Sequence, residues 1–160
     1  MIDISMAGST VIIKGPSINA TITGFASEGD PISIPDNEVR AGEMGLNGDL
    51  VTWAKPTPIT FSISLIPGTT SDKILSAALR AAHIGGKGSS AKFDAVEIDT
   101  LTIKTPHGNV KDTLKLQEPV SYVFSNGYVQ SGPMAQGTNS EGKASMKTYN
   151  FTFESVNDSK

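Results

Sequence analysis

The stretch Pro58-Ile-Thr-Phe-Ser-Ile-Ser-Leu-Ile66, followed closely by Ser71-Asp-Lys-Ile-Leu-Ser-Ala-Ala-Leu-Arg80, changes its hydrophobic period within a few residues. In the first part Ile59, Phe61, Ile63 and Leu65 alternate with Thr60, Ser62 and Ser64, the period-2 signature of a strand with one buried face. In the second, Ile74, Leu75, Ala78, Leu79 and Ala82 recur at helical spacing and form one apolar stripe. Thr70 or Ser71 is the expected N-cap, and Asp72 falls in the first turn, where the helix dipole favours a negative charge. Arg80 and His83 fall in the last turn and Gly85-Gly86 supplies the stop, so a helix is predicted over about 71–84. A helix with one apolar stripe needs a sheet to cover. Ile74, Leu75, Ala78 and Leu79 are therefore the expected helix core contacts, packed on the strand face that carries Phe61 and Ile63.

Working outward, the same alternation recurs. Ile18, Ala20 and Ile22 carry it near the N-terminus, Val120, Tyr122 and Phe124 in the third quarter, and Tyr149, Phe151 and Phe153 near the C-terminus. Between Val96 and Lys104 the phase changes: Val96 and Ile98 share one parity, Leu101 and Ile103 the other. An extra residue near Asp99–Thr100, a β-bulge, is the expected cause. The fold class is therefore mainly β with one flanking α-helix. Long polar connections are expected near 26–38, 85–95, 105–119 and 131–145, and no internal repeat or second core divides residues 1–160.

Composition excludes several functions. The chain has 160 residues, long enough for a sizeable core, and a net charge of −3. That balance opposes a nucleic-acid binder that neutralises phosphates with clustered Lys and Arg. Cysteine is absent, which removes disulfides, thiolate metal sites and cysteine nucleophiles. The start of the chain shows no secretory signal pattern, and no stretch approaches the ~20 apolar residues of a spanning helix. A soluble protein without a membrane anchor is expected.

Catalytic and binding motifs are weak. Gly86-Lys87-Gly88-Ser89 follows the predicted helix instead of feeding its N-terminus, so it lacks the geometry of a phosphate loop. His83 and His107 have no second ligand nearby in sequence. Asp36, Glu38 and Glu43 offer carboxylates for a glycosidase pair, but one Trp and 6% aromatic residues provide little for sugar stacking. No catalytic, cofactor-binding or metal-binding residue is assigned, and no cofactor is expected.

Charge is unevenly distributed. Residues 1–50 sum to −5 and residues 51–160 to +2, because Glu28, Asp30, Asp36, Glu38, Glu43 and Asp49 stand against Arg40 alone between positions 28 and 49. Taken by itself, such a run is a solvated surface. Within it, Gly45, Gly48 and the Leu46-Asn47-Gly48-Asp49 turn predict a hairpin whose turn wants a residue of positive φ. Its arms, roughly Asn37–Gly45 and Leu50–Ala54, are glycine-rich and acidic, and suit an intersubunit surface or a solvent-filled channel better than a monomer's core.

The order of these features, an acidic loop, the hairpin Val39-Arg-Ala-Gly-Glu-Met-Gly-Leu-Asn-Gly-Asp-Leu-Val-Thr-Trp53, the strand Pro58–Ile66 and the helix from Ser71, resembles tail tube proteins of contractile-tailed bacteriophages. The resemblance runs through most of the chain and is sharpest between about residues 25 and 84. It implies a β-barrel or β-sandwich subunit with one flanking helix. It also implies homo-hexameric rings stacked into a tube through which DNA passes without specific binding, with sheath, baseplate and terminator proteins as partners. The location implied is the virion tail, assembled in the host cytoplasm. The tubes of type VI secretion and pyocin-like particles use the same kind of ring.

Under this resemblance the candidate lumen or inter-ring residues are Glu28, Asp30, Asp36, Glu38, Glu43 and Asp49, with Thr60, Ser62 and Ser64. An acidic or neutral wall repels phosphates over roughly a Debye length, about 8–10 Å. Asp36 and Glu38 are even and Glu43 and Asp49 odd, so the acids share a face only if a bulge near Gly42 or the turn resets the phase. Two readings of other classes stand beside this one. A glycan-binding β-sandwich predicts a monomer with exposed aromatics, and a glycosidase requires two converging carboxylates.

Overall fold

The computed structural model describes residues 9–26, 31–83, 93–105, 120–138 and 140–159. In chain order the elements are β1 (Thr10–Lys14), β2 (Asn19–Ile22), β3 (Ile32–Ser33), β4 (Arg40–Met44), β5 (Leu50–Ala54), β6 (Ile59–Leu65), α1 (Thr70–Ala82), a 3-10 turn (Phe93–Ala95), β7 (Glu97–Thr105), β8 (Val120–Ser131) and β9 (Lys147–Ser159). Seven strands form one antiparallel sheet in the order β2-β1-β7-β8-β9-β6-β3, and β4 and β5 form a separate two-stranded sheet. The fold is mainly β with one helix, as expected, but the large sheet is not a closed barrel: β2 and β3 are its edges. Beyond β2 the chain crosses to β6, where the Ile66 amide donates to the Gly24 carbonyl at 2.9 Å and the Ala26 amide to Ser64 at 2.9 Å. The sheet therefore wraps around its core without completing a cylinder.

The buried face is built from rows of paired residues. Ile13 pairs with Leu101 and Leu101 with Phe124; Val129 pairs with Phe151 and Phe151 with Phe61. Phe61 stacks on Phe151 and Phe153, with ring centroids 5.4 and 5.6 Å apart, and lies 4.6 Å from Phe124. Such ring pairs add about 0.5–1.5 kcal/mol each beyond the area they bury. Leu75, Ala78 and Leu79 of α1 are buried in the same cluster, and Ile74 is half-buried against it.

The phase change in β7 has a different cause from the expected bulge. Ile98 pairs with Gly127 and Thr100 with Ser125, so the register is the same on both sides and no extra residue is present. Asp99 and Asn126 face each other without a ladder pair, and Asn126 adopts φ 54°. Both strands exchange their buried parity there: Ile98 and Leu101 are both buried on β7, and Phe124 and Val129 on β8. A side-chain amide tolerates this left-handed conformation better than most residues. Gly127, next in line, lies where any Cβ would collide with the Phe153 ring and the Thr152 carbonyl.

Candidate assembly surfaces

Thr69, one residue before the expected cap, ends the chain's approach to α1: its hydroxyl accepts from the Asp72 amide at 3.3 Å. The helix closes at Ala82 with His83 as C-cap; residue 84 and the Gly85-Gly86 stop lie outside the described residues. Asp72 does more than face the helix dipole. Its side chain is buried and accepts from the Gly68 amide at 3.0 Å, Tyr149 Oη at 2.7 Å and Lys147 Nζ at 3.2 Å. Ser76, one turn on, lies 2.6 Å from Tyr149 Oη. Burial pushes the Asp72 carboxyl up, but the Gly68 amide, Tyr149 and Lys147 outweigh it and hold it below the usual carboxylate range. Burial and the Asp72 charge push the Tyr149 phenol up to about 12, against the lowering effect of Ser76.

This cluster fastens α1 to the start of β9 and so to the connector from β8. At the other end of the connector Gly132 packs closely enough that a Cβ would lie 2.6 Å from Leu79 Cδ1. The pairing of Asp72 with Lys147 is absent from the sequence reading. Its signals are a lysine on the parity of Tyr149, Phe151 and Phe153, and an aspartate on the stripe of Leu75 and Leu79.

On the opposite side of β6, Thr60 is exposed and Ser62 and Ser64 are half-buried. They continue across β9 and β8: Ser64 Oγ meets Thr148 Oγ1 at 2.9 Å, Asn150 Nδ2 donates to Ser131 Oγ at 2.8 Å, and Thr152 Oγ1 donates to Gln130 Oε1 at 2.7 Å. A groove of about 390 Å³ runs over this face, lined on its rim by Ser33 and Pro35.

Four of the six acids named with these hydroxyls, Asp36, Glu38, Glu43 and Asp49, lie on other segments of the subunit. Glu28 and Asp30 lie outside the described residues. Asp36 and Glu38 lie in the strand-free lead into β4, Glu43 is on β4, and Asp49 adjoins β5, so none shares the large sheet with Thr60, Ser62 and Ser64. The reason is topological: among the described residues the β4–β5 ladder joins no other strand. Glu38 pairs with Lys55 at 2.9 Å, and Arg40 donates to Thr52 Oγ1 at 2.9 Å. Thr57 Oγ1 bonds Asn37 Oδ1 and clamps the hairpin's base. Gly48 takes φ 86° at the turn, with its amide donating to Gly45 at 2.9 Å, as a three-residue hairpin loop with a left-handed last residue requires.

Every residue of β5 is exposed, and on β4 only Ala41 is half-buried. Val39, Met44, Leu46, Leu50, Val51 and Trp53 all stand in solvent, Leu46 fully and Met44 and Leu50 by about two-thirds. The register puts Met44 and Leu50 on one face and Trp53, Val51 and Ala41 on the other. An isolated two-stranded hairpin is marginal in water, and this one exposes apolar side chains on both faces.

Among the described residues no group of three or more His, Asp or Glu side chains is placed to hold a metal, and no helix is long and apolar enough to cross a membrane. His107 and the Gly86-Lys87-Gly88 loop lie outside the described residues.

The fold is similar to that of chains from contractile injection systems. The chain is similar to the anti-feeding prophage cap, which terminates its tube, at 13% identity and a TM-score of 0.56 over 99% of this chain and 92% of that one. It is similar to the sheath/tube terminator of the PVC extracellular contractile injection system in the extended state, at 13% identity and 0.55 over 100% and 99% of the two chains. A chain of the PVC sheath-tube complex in the extended state matches at 14% identity and 0.54 over 98% and 91%. No curated protein sequence matches the chain. Residues 2–157 match the family described as tail fiber protein gp32, and the chain belongs to that family. It is a structural protein of a phage-tail-like particle.

Proposed function

We propose that the protein is a tail-tube subunit whose homo-hexameric rings stack into a hollow conduit, with DNA as the cargo in a phage and sheath, baseplate and terminator proteins as neighbours. The observation that carries this is the hairpin β4–β5, with exposed apolar side chains on both faces and, among the described residues, joined to no other strand. Another copy that covers both faces converts a marginal element into an interface core. In this reading the residues serve shape and contact. A terminator ring is the second reading, favoured by the likeness to two tube-terminating proteins.

Negative-stain microscopy of the purified protein at high concentration tests both. Stacked tubes of open bore support the tube subunit, and single rings that do not grow support the terminator. A strict monomer would sink both readings and return attention to a glycan-binding module.

A further inference from the structure

We propose that Asn47, at the tip of the β4–β5 hairpin, is a site of spontaneous deamidation in the unassembled subunit, and that the sheet keeps Asn126 from the same reaction. The chain contains two Asn-Gly steps, Asn47-Gly48 and Asn126-Gly127. Both have the same intrinsic chemistry. The backbone nitrogen after the asparagine gives its proton to solvent base and attacks the side-chain Cγ. A ring C–N bond forms, the Cγ–Nδ2 bond breaks, and ammonia departs from a succinimide. Water then opens the ring at one of its two carbonyls, giving aspartate or isoaspartate. Water enters and ammonia leaves, with no oxidant or reductant. Glycine favours the attack because it has no Cβ to crowd the closing ring.

The fold treats the two steps differently. Asn47 and Gly48 are exposed in the turn, and a Cβ on Gly48 would meet no atom beyond its chain neighbours within 4 Å. To react, the Gly48 amide gives up one surface bond, to the Gly45 carbonyl at 2.9 Å. The turn therefore slows the reaction relative to an unfolded chain without blocking it. Asn126 is exposed as well, with φ 54°, so exposure alone does not separate the sites. Gly127 does. It pairs with Ile98 of β7 and Phe153 of β9, and the Phe153 ring and Thr152 carbonyl occupy the place where a Cβ would stand. Ring closure there has to pull the Gly127 amide out of a strand held from both sides.

Reaction at Asn47 alters the hairpin in two ways. Either product adds a negative charge two positions from Asp49. Isoaspartate also lengthens the main chain by one carbon atom, inside a loop closed by the Gly45 amide on the Asp49 carbonyl at 2.8 Å. The exposed side chains of Met44, Leu46 and Leu50 adjoin that loop. Under the tube reading above, on which this consequence rests, another copy covers them. Assembly then shields Asn47, and subunits that age before assembly join poorly.

Purified protein, kept dilute and unassembled, is incubated at mildly alkaline pH, either native or in guanidinium chloride. It is then digested for peptide mapping, with isoaspartyl methyltransferase labelling of the products. In guanidinium chloride both Asn-Gly peptides are expected to convert at similar rates. In native protein the product is expected at Asn47 and not at Asn126, and Asn47→Gln should lose it. Comparable conversion of both peptides in native protein overturns the proposal. So does an unreacted Asn47 over a period in which the denatured chain converts. Aged protein is finally concentrated, and isoaspartate should be depleted from tubes and enriched in the unincorporated fraction; equal content in both overturns the assembly consequence. If fresh protein forms neither rings nor tubes, the assembly reading fails, and the peptide maps still decide the chemistry at Asn47.

Discussion

Asp72 at the first turn of α1 and Lys147 at the first position of β9 form an ion pair of 3.2 Å, with side chains 3% and 11% exposed. Seventy-five positions separate them in the chain, and Tyr149 and Ser76 complete the shell. A pair this buried gains little net stability over an apolar replacement, but breaking it from one side leaves an uncompensated charge. Lys147→Met should cost about 3–5 kcal/mol, and Asp72→Asn/Lys147→Met together should cost clearly less than Lys147→Met alone. Denaturant titration of the single and double variants checks this, and equal losses would show that the pair is not coupled.

The same cluster sets a pH dependence. The Asp72 carboxyl is held below its ordinary value in the folded chain, so its contribution is present above the unfolded carboxylate range and lost as pH falls through the folded value. Tyr149 is raised to about 12; its contribution is complete below the ordinary phenol value near 10 and disappears as pH rises toward 12. Melting temperature against pH should therefore fall at both ends. Tyr149→Phe should remove the alkaline arm and shrink the acid arm, because the lost hydroxyl is also one of the donors that hold the Asp72 carboxyl down.

Leu75 is fully buried and Leu79 nearly so. Leu75→Asp or Leu79→Asp places a charge in the contact between α1 and the sheet and should cost several kcal/mol, a large part of a domain's ~5–15 kcal/mol. Soluble variants with wild-type melting temperatures would show that α1 does not cover the core.

The hairpin should behave in the opposite way. Leu50→Ser and Trp53→Ser remove side chains that are exposed in the subunit, so the melting temperature of unassembled protein should change by no more than about 0.5 kcal/mol equivalent. Ring or tube formation, followed by light scattering and microscopy, should be lost. Tubes that form normally from the double variant would show that the hairpin is not the contact.

Charge reversal separates the hairpin acids from the sheet face. Glu43→Lys should weaken assembly, because Glu43 projects from the same face as Val51 and Trp53. Thr60→Lys should leave assembly intact and make the tubes retain a short oligonucleotide in a salt-dependent way. Normal assembly of Glu43→Lys with impaired DNA passage would return the acids to the lumen.

Much of this protein is determined locally. Alternation from Ile59 to Leu65 makes β6, the stripe from Ile74 to Ala82 makes α1, and Gly48 makes the hairpin turn, because each depends on residues a few positions apart. The parity change between Ile98 and Leu101 was equally legible, but its cause was not: a kink shared by Asp99 and Asn126 looks like a bulge when one strand is read alone. The meeting of Asp72 with Lys147, the wrap that stops short of a barrel, and the separation of Glu43 and Asp49 from Thr60, Ser62 and Ser64 belong to the tertiary structure. Each depends on which strands become neighbours, and strand pairing is a contact between distant segments that local periodicity does not encode.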